Sequence, residues 1–98
     1  MPYRLRFENK ARKAWEKLDS TIRDQFKKVL DRRLEQPRLP SARLRGGADI
    51  YKIKLRDAGY RLIYEVNDAE IVVFVIAVGR RKEVYSTLER MFGDRYFD

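Results

Sequence analysis

The chain contains no cysteine and no histidine. Without cysteine it can form no disulfide and no thiolate-bound metal site, and nothing indicates an oxidising compartment. Without histidine, histidine acid–base pairs are excluded, and we expect neither a metal nor another cofactor. The longest apolar run, Ile71–Val78, is too short to span a membrane, and the N-terminus lacks the apolar core of a signal peptide. We therefore expect a cytoplasmic protein that contacts no membrane.

Acidic residues are few compared with basic ones. The 98 residues include 23 Lys and Arg but 15 Asp and Glu, which gives a formal net charge of +8. A domain this small and basic favours a polyanionic partner such as nucleic acid. A solvated basic surface is the alternative, and an acidic protein partner is compatible with both. The length predicts one domain, residues 1–98.

The N-terminal third predicts a strand followed by two helices. Alternation at Tyr3, Leu5 and Phe7 indicates a short half-buried strand. A first short helix is predicted by apolar residues at helical spacing, namely Ala11, Ala14, Trp15 and Leu18. A second helix begins after an N-cap at Asp19 or Ser20 and ends before Pro37. Its apolar stripe consists of Ile22, Phe26, Val29, Leu30 and Leu34.

The remainder predicts three strands and a last helix, separated by a loop at residues 37–48. The strands are expected at about Asp49–Arg56, Tyr60–Asn67 and Glu70–Val78. The last of these contains the run that is apolar on both faces, so it should be a central strand covered on both sides. Val84, Leu88, Met91 and Phe92 indicate a short C-terminal helix. The predicted fold is α+β: a mainly antiparallel four-stranded sheet with an N-terminal helical hairpin packed on it and a short C-terminal helix.

Cations occupy regular positions in the strand from Tyr51. Lys52, Lys54 and Arg56 alternate with apolar residues, so they share one face of that strand. A tight turn near Ala58 would place Lys54 opposite or diagonal to Arg61. Because like charges on one face repel, this pattern favours an anionic ligand, although a strand face of splayed, solvated cations explains it equally.

Such a cation group has the chemistry needed to cleave RNA. Attack of a ribose 2′-hydroxyl on its own 3′-phosphate develops negative charge on the non-bridging oxygens, and preorganised cations stabilise it. Arg61 and Arg81 suit that electrostatic role because arginine is a poor proton donor. The general base would be Tyr85, Lys54 or Lys52, since clustered cations favour the deprotonated form of a neighbouring lysine or tyrosine.

Sequence motifs over nearly the whole chain resemble those of the RelE-family toxins (RelE/ParE superfamily) of bacterial type II toxin–antitoxin systems. The matching segments are Trp15–Ser20, Leu44–Gly46, Tyr51–Arg56, Gly59–Tyr64, Val72–Ile76, Val78–Arg81 and Glu83–Ser86. Two features depart from the family pattern. The spacing between Arg81 and Tyr85 is about two residues shorter, and the tail from Phe92 diverges.

The resemblance implies a microbial-ribonuclease-like fold and a metal-independent endoribonuclease that cuts mRNA in the ribosomal A site by 2′-hydroxyl attack. The implied catalytic residues are Lys52, Lys54, Arg61, Arg81 and Tyr85. Contacts to RNA are expected from Arg45, Arg56, Arg80 and Lys82. The implied partners are a RelB-like antitoxin, mRNA and the small-subunit RNA of the ribosome. Two alternatives are a non-catalytic ParE-like toxin that inhibits DNA gyrase and a plain RNA-binding module.

Overall fold

The structure, a computed structural model, describes residues 2–46 and 49–93. Gly47 and Ala48 of the predicted loop lie outside these ranges, as does the tail from Asp94 onward. The elements follow the predicted order, with a short 3₁₀ turn, Pro40–Ala42, in the loop. They are β1 (Arg4–Phe7), α1 (Asn9–Glu16), α2 (Ser20–Glu35), β2 (Ile50–Leu55), β3 (Tyr60–Asn67), β4 (Val72–Arg80) and α3 (Arg81–Phe92).

Side-chain caps fix where the first two helices begin. The Glu8 carboxylate accepts hydrogen bonds from the backbone N–H groups of Lys10 (2.8 Å) and Ala11 (3.3 Å) at the start of α1. At the start of α2 the N-cap is Asp19, whose carboxylate accepts from the Thr21 N–H at 3.0 Å. Each cap satisfies backbone donors that have no partner within the helix. Of the two predicted caps for α2, Asp19 is therefore correct.

The four strands form one sheet in the order β1-β4-β3-β2. β2 pairs antiparallel with β3, and β3 antiparallel with β4, while β1 pairs parallel with β4. The predicted α+β fold class is confirmed. The strand with the continuous apolar run is β4, which is interior and has a buried cluster on each of its faces.

Several details differ from the prediction. β2 is one residue shorter at each end, and β4 ends at Arg80 and not at Val78. β4 begins at Val72 because the preceding residues form a turn that ends at Ile71 with φ of 56°. α1 ends at Glu16, so Leu18 lies in the connection to α2 although it still packs on the core. Met91 is 46% exposed, since α3 contacts the sheet mainly through Val84 and Leu88.

Helices cover the sheet on both sides. One face, called here the hairpin face, packs against α1 and α2 through a cluster that includes Phe26, Leu30 and Tyr64. The opposite face, called the α3 face, packs against Val84 and Leu88 of α3. Because side chains alternate along a strand, each residue of β2 and β3 can be assigned to one of these faces.

Candidate active site

Three of the predicted cations lie together at one end of the sheet. Lys54 on β2 is directly opposite Arg61 on β3, and Arg61 is directly opposite Gly79 on β4. Lys52 is opposite Ile63, one pair further along. The predicted juxtaposition of Lys54 and Arg61 is confirmed, and directly opposite residues in an antiparallel pair have Cβ atoms about 5 Å apart.

These cations belong to the α3 face. Ile50 and Ile63 pack in the cluster under α3, and strand alternation places Lys52 and Lys54 on the same face as Ile50 and Arg61 on the same face as Ile63. Both lysines are half-buried. Part of each side chain is therefore covered by neighbouring protein atoms.

Arg61 is the most deeply placed of the three. Its side chain is buried, with 8% exposure, and Nη1 donates a hydrogen bond to the Tyr60 carbonyl oxygen at 3.1 Å. Within the described residues, its Nε is buried and has no hydrogen-bond partner. A buried donor without an acceptor costs about 1–3 kcal/mol. A site that binds an anionic oxygen accounts for retaining such a group.

Arg81 and Tyr85 lie at the start of α3, immediately after β4. The Arg81 N–H donates to the Gly59 carbonyl at 3.0 Å, which ties the first residue of α3 to the β2–β3 turn. The Arg81 Cζ lies 5.3 Å from the centroid of the Tyr85 ring, one helical turn along. Tyr85 packs against the cluster on the α3 face. The two residues are thus on the side of α3 that faces the sheet.

The local sequence explains why α3 begins where it does. Gly79 has φ of 153°, a backbone conformation that other residues rarely adopt, and it precedes Arg80, the N-cap. The Glu83 carboxylate accepts from the Arg80 N–H at 3.3 Å. The positive end of the helix dipole therefore lies at the same end of the sheet as Lys54 and Arg61. It adds to the positive potential of the side chains.

Not all of the residues predicted to contact RNA lie on the α3 face. Arg80 pairs with Tyr60, and its Cζ lies 5.2 Å from the Tyr60 ring, which packs on the hairpin face. Arg80 therefore lies on the face opposite Arg61. Lys82, the second residue of α3, and Arg56, in the β2–β3 turn, are exposed near the cations. Arg45 is exposed in the loop, next to the residue that pairs with Ile50.

The opposite end of the sheet holds an ion-pair network that sequence reasoning missed. Arg38 Nε donates to Asp49 Oδ2 at 3.0 Å, and its Nη1 donates to Asp68 Oδ1 at 2.9 Å. The Tyr3 hydroxyl donates to Asp68 at 2.6 Å. The hydrogen bond from Arg38, followed by that from Tyr3, lowers the pKa of Asp68. No local spacing brings these residues together, so only the fold reveals the network.

The described ranges contain neither a metal-binding cluster nor a membrane-spanning helix. Residues 2–46 and 49–93 contain no group of acidic residues placed to hold a metal ion. Within the same ranges, no helix is long and apolar enough to cross a bilayer.

Comparison with known proteins identifies the family. Residues 5–85 match the family described as the ParE toxin of type II toxin–antitoxin systems (parDE). The chain is 56% identical to the mRNA interferase toxin RelE of Escherichia coli K12 over 88 residues, covering 88% of this chain and 93% of that protein.

Solved structures give the same assignment. A double arginine-to-alanine mutant of E. coli RelE in the free state matches with a TM-score of 0.82 and 52% identity, covering 93% of this chain and 99% of that one. The toxin in the intact E. coli RelBE toxin–antitoxin complex matches with a TM-score of 0.77 and 55% identity, covering 80% of this chain and 95% of that one. The chain belongs to the RelE/ParE family of toxins of type II toxin–antitoxin systems.

Proposed function

We propose that this toxin is an mRNA interferase that cleaves mRNA in the ribosomal A site and thereby blocks translation. The class of activity rests on the 56% identity to the E. coli mRNA interferase RelE over most of both chains. The observation that supports the chemistry is the direct pairing of Lys54 with Arg61 on the α3 face, at the end of the sheet where α3 begins.

The reaction is an internal phosphoryl transfer. The ribose 2′-oxygen bonds to the adjacent phosphorus as the bond to the 5′-oxygen breaks, which leaves a 2′,3′-cyclic phosphate and a 5′-hydroxyl. Negative charge builds up on the non-bridging oxygens in the transition state. Arg61 is fixed by burial, so it can offer donors to that charge without reorganising. Arg81 adds a second guanidinium from the start of α3.

Proton transfer falls to the remaining members of the site. The 2′-hydroxyl must lose a proton and the 5′-oxygen must gain one. Lys52, Lys54 and Tyr85 are the candidates for the base, and all three belong to the α3 face. Lysine and tyrosine side chains in general titrate well above neutral pH and are weak general bases. Most of the rate enhancement then comes from electrostatic stabilisation and from the orientation of the mRNA.

The ribosome would supply that orientation. An mRNA held in the A site has few conformations, so the 2′-hydroxyl can be kept in line with the scissile bond. The exposed cations Arg45, Arg56 and Lys82 would contact mRNA or the RNA of the small subunit through phosphates. Arg80, on the other face, would contact RNA outside the cleavage site. The cytoplasm, where ribosomes translate, is the corresponding location.

A RelB-like antitoxin would control the activity. The E. coli relative was solved in an intact toxin–antitoxin complex, and a mutant of it was solved with a RelB peptide. With a net charge of +8, this chain should bind an acidic partner that competes with RNA for the basic surface.

The test is to incubate the purified chain with ribosomes that hold a defined mRNA and an empty A site, and to map the mRNA ends. We expect cleavage within the A-site codon, none on free mRNA, and loss of cleavage in Arg81→Ala. Intact mRNA on ribosomes with the wild-type chain would contradict the proposal.

The match to the ParE description favours one other function, inhibition of DNA gyrase without catalysis. It predicts that the chain inhibits gyrase supercoiling in vitro while leaving ribosome-bound mRNA intact. The paired cations at Lys54 and Arg61 argue against it, because a protein inhibitor has no evident need for mutually repelling charges in the sheet.

A further inference from the structure

We infer that Arg33, in the last turn of α2, is a positioning residue that holds β2 so that Lys52 and Lys54 reach the scissile phosphate. The Arg33 Nη1 donates to the backbone carbonyl of Lys52 at 3.1 Å. Arg33 does not belong to the α3 face, so it acts through the strand and not on the RNA. The inference rests on the proposed function, because it assigns Arg33 a role in that reaction.

β2 needs an external support because it is the last strand of the sheet. Within the described residues β3 pairs with it along its length, whereas its outer edge has a single bridge, from Arg43 to Tyr51. Loop residues support the beginning of that edge, where the Leu44 N–H donates to the Ile50 carbonyl at 2.9 Å. The Lys52 carbonyl is two residues further along, on the same edge of the strand. Arg33 thus holds the edge where the first of the two lysines leaves the strand.

Arg33 is itself held rigidly. Its Nη1 also donates to the Tyr64 hydroxyl at 2.9 Å, and its Cζ lies 5.9 Å from the Tyr64 ring centroid. Tyr64 is fully buried, its ring stacks on Tyr51 at 5.6 Å, and its hydroxyl donates to the Pro37 carbonyl at 2.7 Å. Burial raises the pKa of Tyr64, although the hydrogen bond from Arg33 opposes that change. The hydroxyl therefore stays protonated. Its hydrogen bond to the Pro37 carbonyl links Arg33 to the segment that follows α2.

This arrangement transmits position through the backbone. Lys52 and Lys54 are long side chains that start from adjacent α3-face positions of β2. A small rotation of the strand about its axis displaces their ammonium groups by much more than it displaces the backbone. Misplacement of a catalytic group by about 1 Å can cost about 100-fold in rate. Arg33 is one of several supports of β2. Its loss should therefore displace the ammonium groups by less than about 1 Å and lower the rate by less than about 100-fold.

The sequence carries a signal for this residue. Arg33 follows Phe26 and Leu30 at helical spacing and is half-buried, so it occupies a position of the apolar stripe of α2. A cation at such a position requires acceptors beneath it. The Lys52 carbonyl and the Tyr64 hydroxyl are those acceptors.

The experiment measures single-turnover cleavage of ribosome-bound mRNA by Arg33→Met, which keeps the length of the side chain and removes its donors. We expect the rate constant at saturating protein to fall about 10-fold while the half-saturating concentration changes less than about threefold. Arg33→Lys, which retains a donor, should recover most of the rate. The control is Arg32→Met, an exposed residue of the same turn, which should cleave like wild type.

A double-mutant cycle separates positioning from general stabilisation. If Arg33 acts through the two lysines, Arg33→Met should lower the rate of a Lys52→Met/Lys54→Met variant by less than about twofold. Equal loss in both backgrounds would overturn the inference. A rate for folded Arg33→Met within about twofold of wild type would also overturn it, even if the melting temperature fell.

A readout that needs no cleavage keeps this inference distinct from the proposed function. Amide hydrogen exchange in Arg33→Met should be faster in β2, while exchange in the central strand β4 should match that of wild type. If wild-type protein leaves mRNA intact, the proposed function fails, whereas faster exchange confined to β2 still shows that Arg33 holds the strand. Unchanged exchange in β2 would refute the positioning role irrespective of activity.

Discussion

At one end of the sheet Arg38 lies between the carboxylates of Asp49 and Asp68, whereas at the other end Lys54 lies opposite Arg61. The first end pairs one cation with two carboxylates, whereas the second places two cations at directly opposite positions of neighbouring strands. The first end joins the loop after α2 to the start of β2 and to the β3–β4 turn. The second end joins β2, β3 and the start of α3 around a group of cations.

The comparison distinguishes contacts that stabilise the fold from charges that reduce its stability. Ion pairs and hydrogen bonds at the Arg38 end lower the free energy of the folded state. At the Arg61 end, that free energy is raised by burial of a guanidinium whose Nε has no hydrogen-bond partner among the described residues. A sequence under selection for stability alone would replace Arg61, which supports the proposal that this end binds an anionic ligand. Substitutions at each of the two ends test this interpretation.

The largest expected effect is on cleavage by Lys54→Met. Loss of the ammonium group removes transition-state stabilisation, and with it a candidate base, so we expect the single-turnover rate constant to fall by about 100-fold or more. The assay is cleavage of ribosome-bound mRNA at saturating protein. A decrease of less than about threefold would show that the lysine only binds RNA.

At the other end, Arg38→Met should lower the free energy of unfolding by about 1 kcal/mol, because it breaks the contacts to Asp49 and Asp68. Urea denaturation monitored by Trp15 fluorescence measures it, with Arg32→Met as the control for loss of an exposed arginine. No change in the denaturation midpoint would mean that the network does not stabilise the fold.

Arg61→Met should have the opposite effect on stability. Replacing the buried guanidinium by an apolar side chain of similar length removes the unsatisfied donor, so we expect the free energy of unfolding to rise by about 1 kcal/mol. The same urea titration checks it. A less stable variant would show that Arg61 is a structural residue and would remove the argument for a ligand.

Ile71→Asn should stabilise the β3–β4 turn by about 0.5–1 kcal/mol. Ile71 has φ of 56°, which is strained for a β-branched residue, and it is 46% exposed, so little packing is lost. Asparagine tolerates this conformation. A melting temperature unchanged from wild type would contradict the expectation.

The smallest effect is a difference in pH dependence between wild type and Asp68→Asn. The pKa of Asp68 is lowered from its ordinary value of 3.8 in the folded protein, so its ion pair stabilises the protein above that pH and is lost as pH falls through the folded-state pKa. The melting temperature of wild type should therefore exceed that of Asp68→Asn at about pH 6, and the gap should close toward about pH 3. A difference in melting temperature that does not change with pH would exclude the ion pair as its cause.

Periodic patterns predicted most of the fold. Tyr60–Asn67 was predicted with the bounds it has in the structure, and the position of Lys54 followed from the turn before Gly59. The start of β4 was missed because Glu70 and Ile71 read as strand residues, while hydrogen bonding by Asn67 holds them in a turn. Local sequence patterns therefore predicted the strands, whereas the start of β4 depends on side-chain contacts that those patterns do not show.

The sequence predicted the positions of the candidate site residues only where those residues lie on neighbouring strands. Alternation placed Lys52 and Lys54 on one face, and a tight turn near Ala58 placed Arg61 opposite or diagonal to Lys54. Arg80 illustrates the limit: it is adjacent to Arg81 in sequence, yet it lies on the face opposite Arg61 because it ends a strand while Arg81 begins a helix. Arg33 and Arg38 act on residues far along the chain. The helical spacing of Arg33 indicates that it needs acceptors, but no local spacing identifies the partners of either residue.

The most direct test of this account is the single-turnover rate constant for cleavage of ribosome-bound mRNA by Arg38→Met and Arg61→Met, under conditions where both are folded. The account predicts that Arg38→Met cleaves within about threefold of wild type, while Arg61→Met is slower by about 100-fold or more. Equal rate constants for the two variants would contradict the division of the molecule into a stabilising end and a catalytic end.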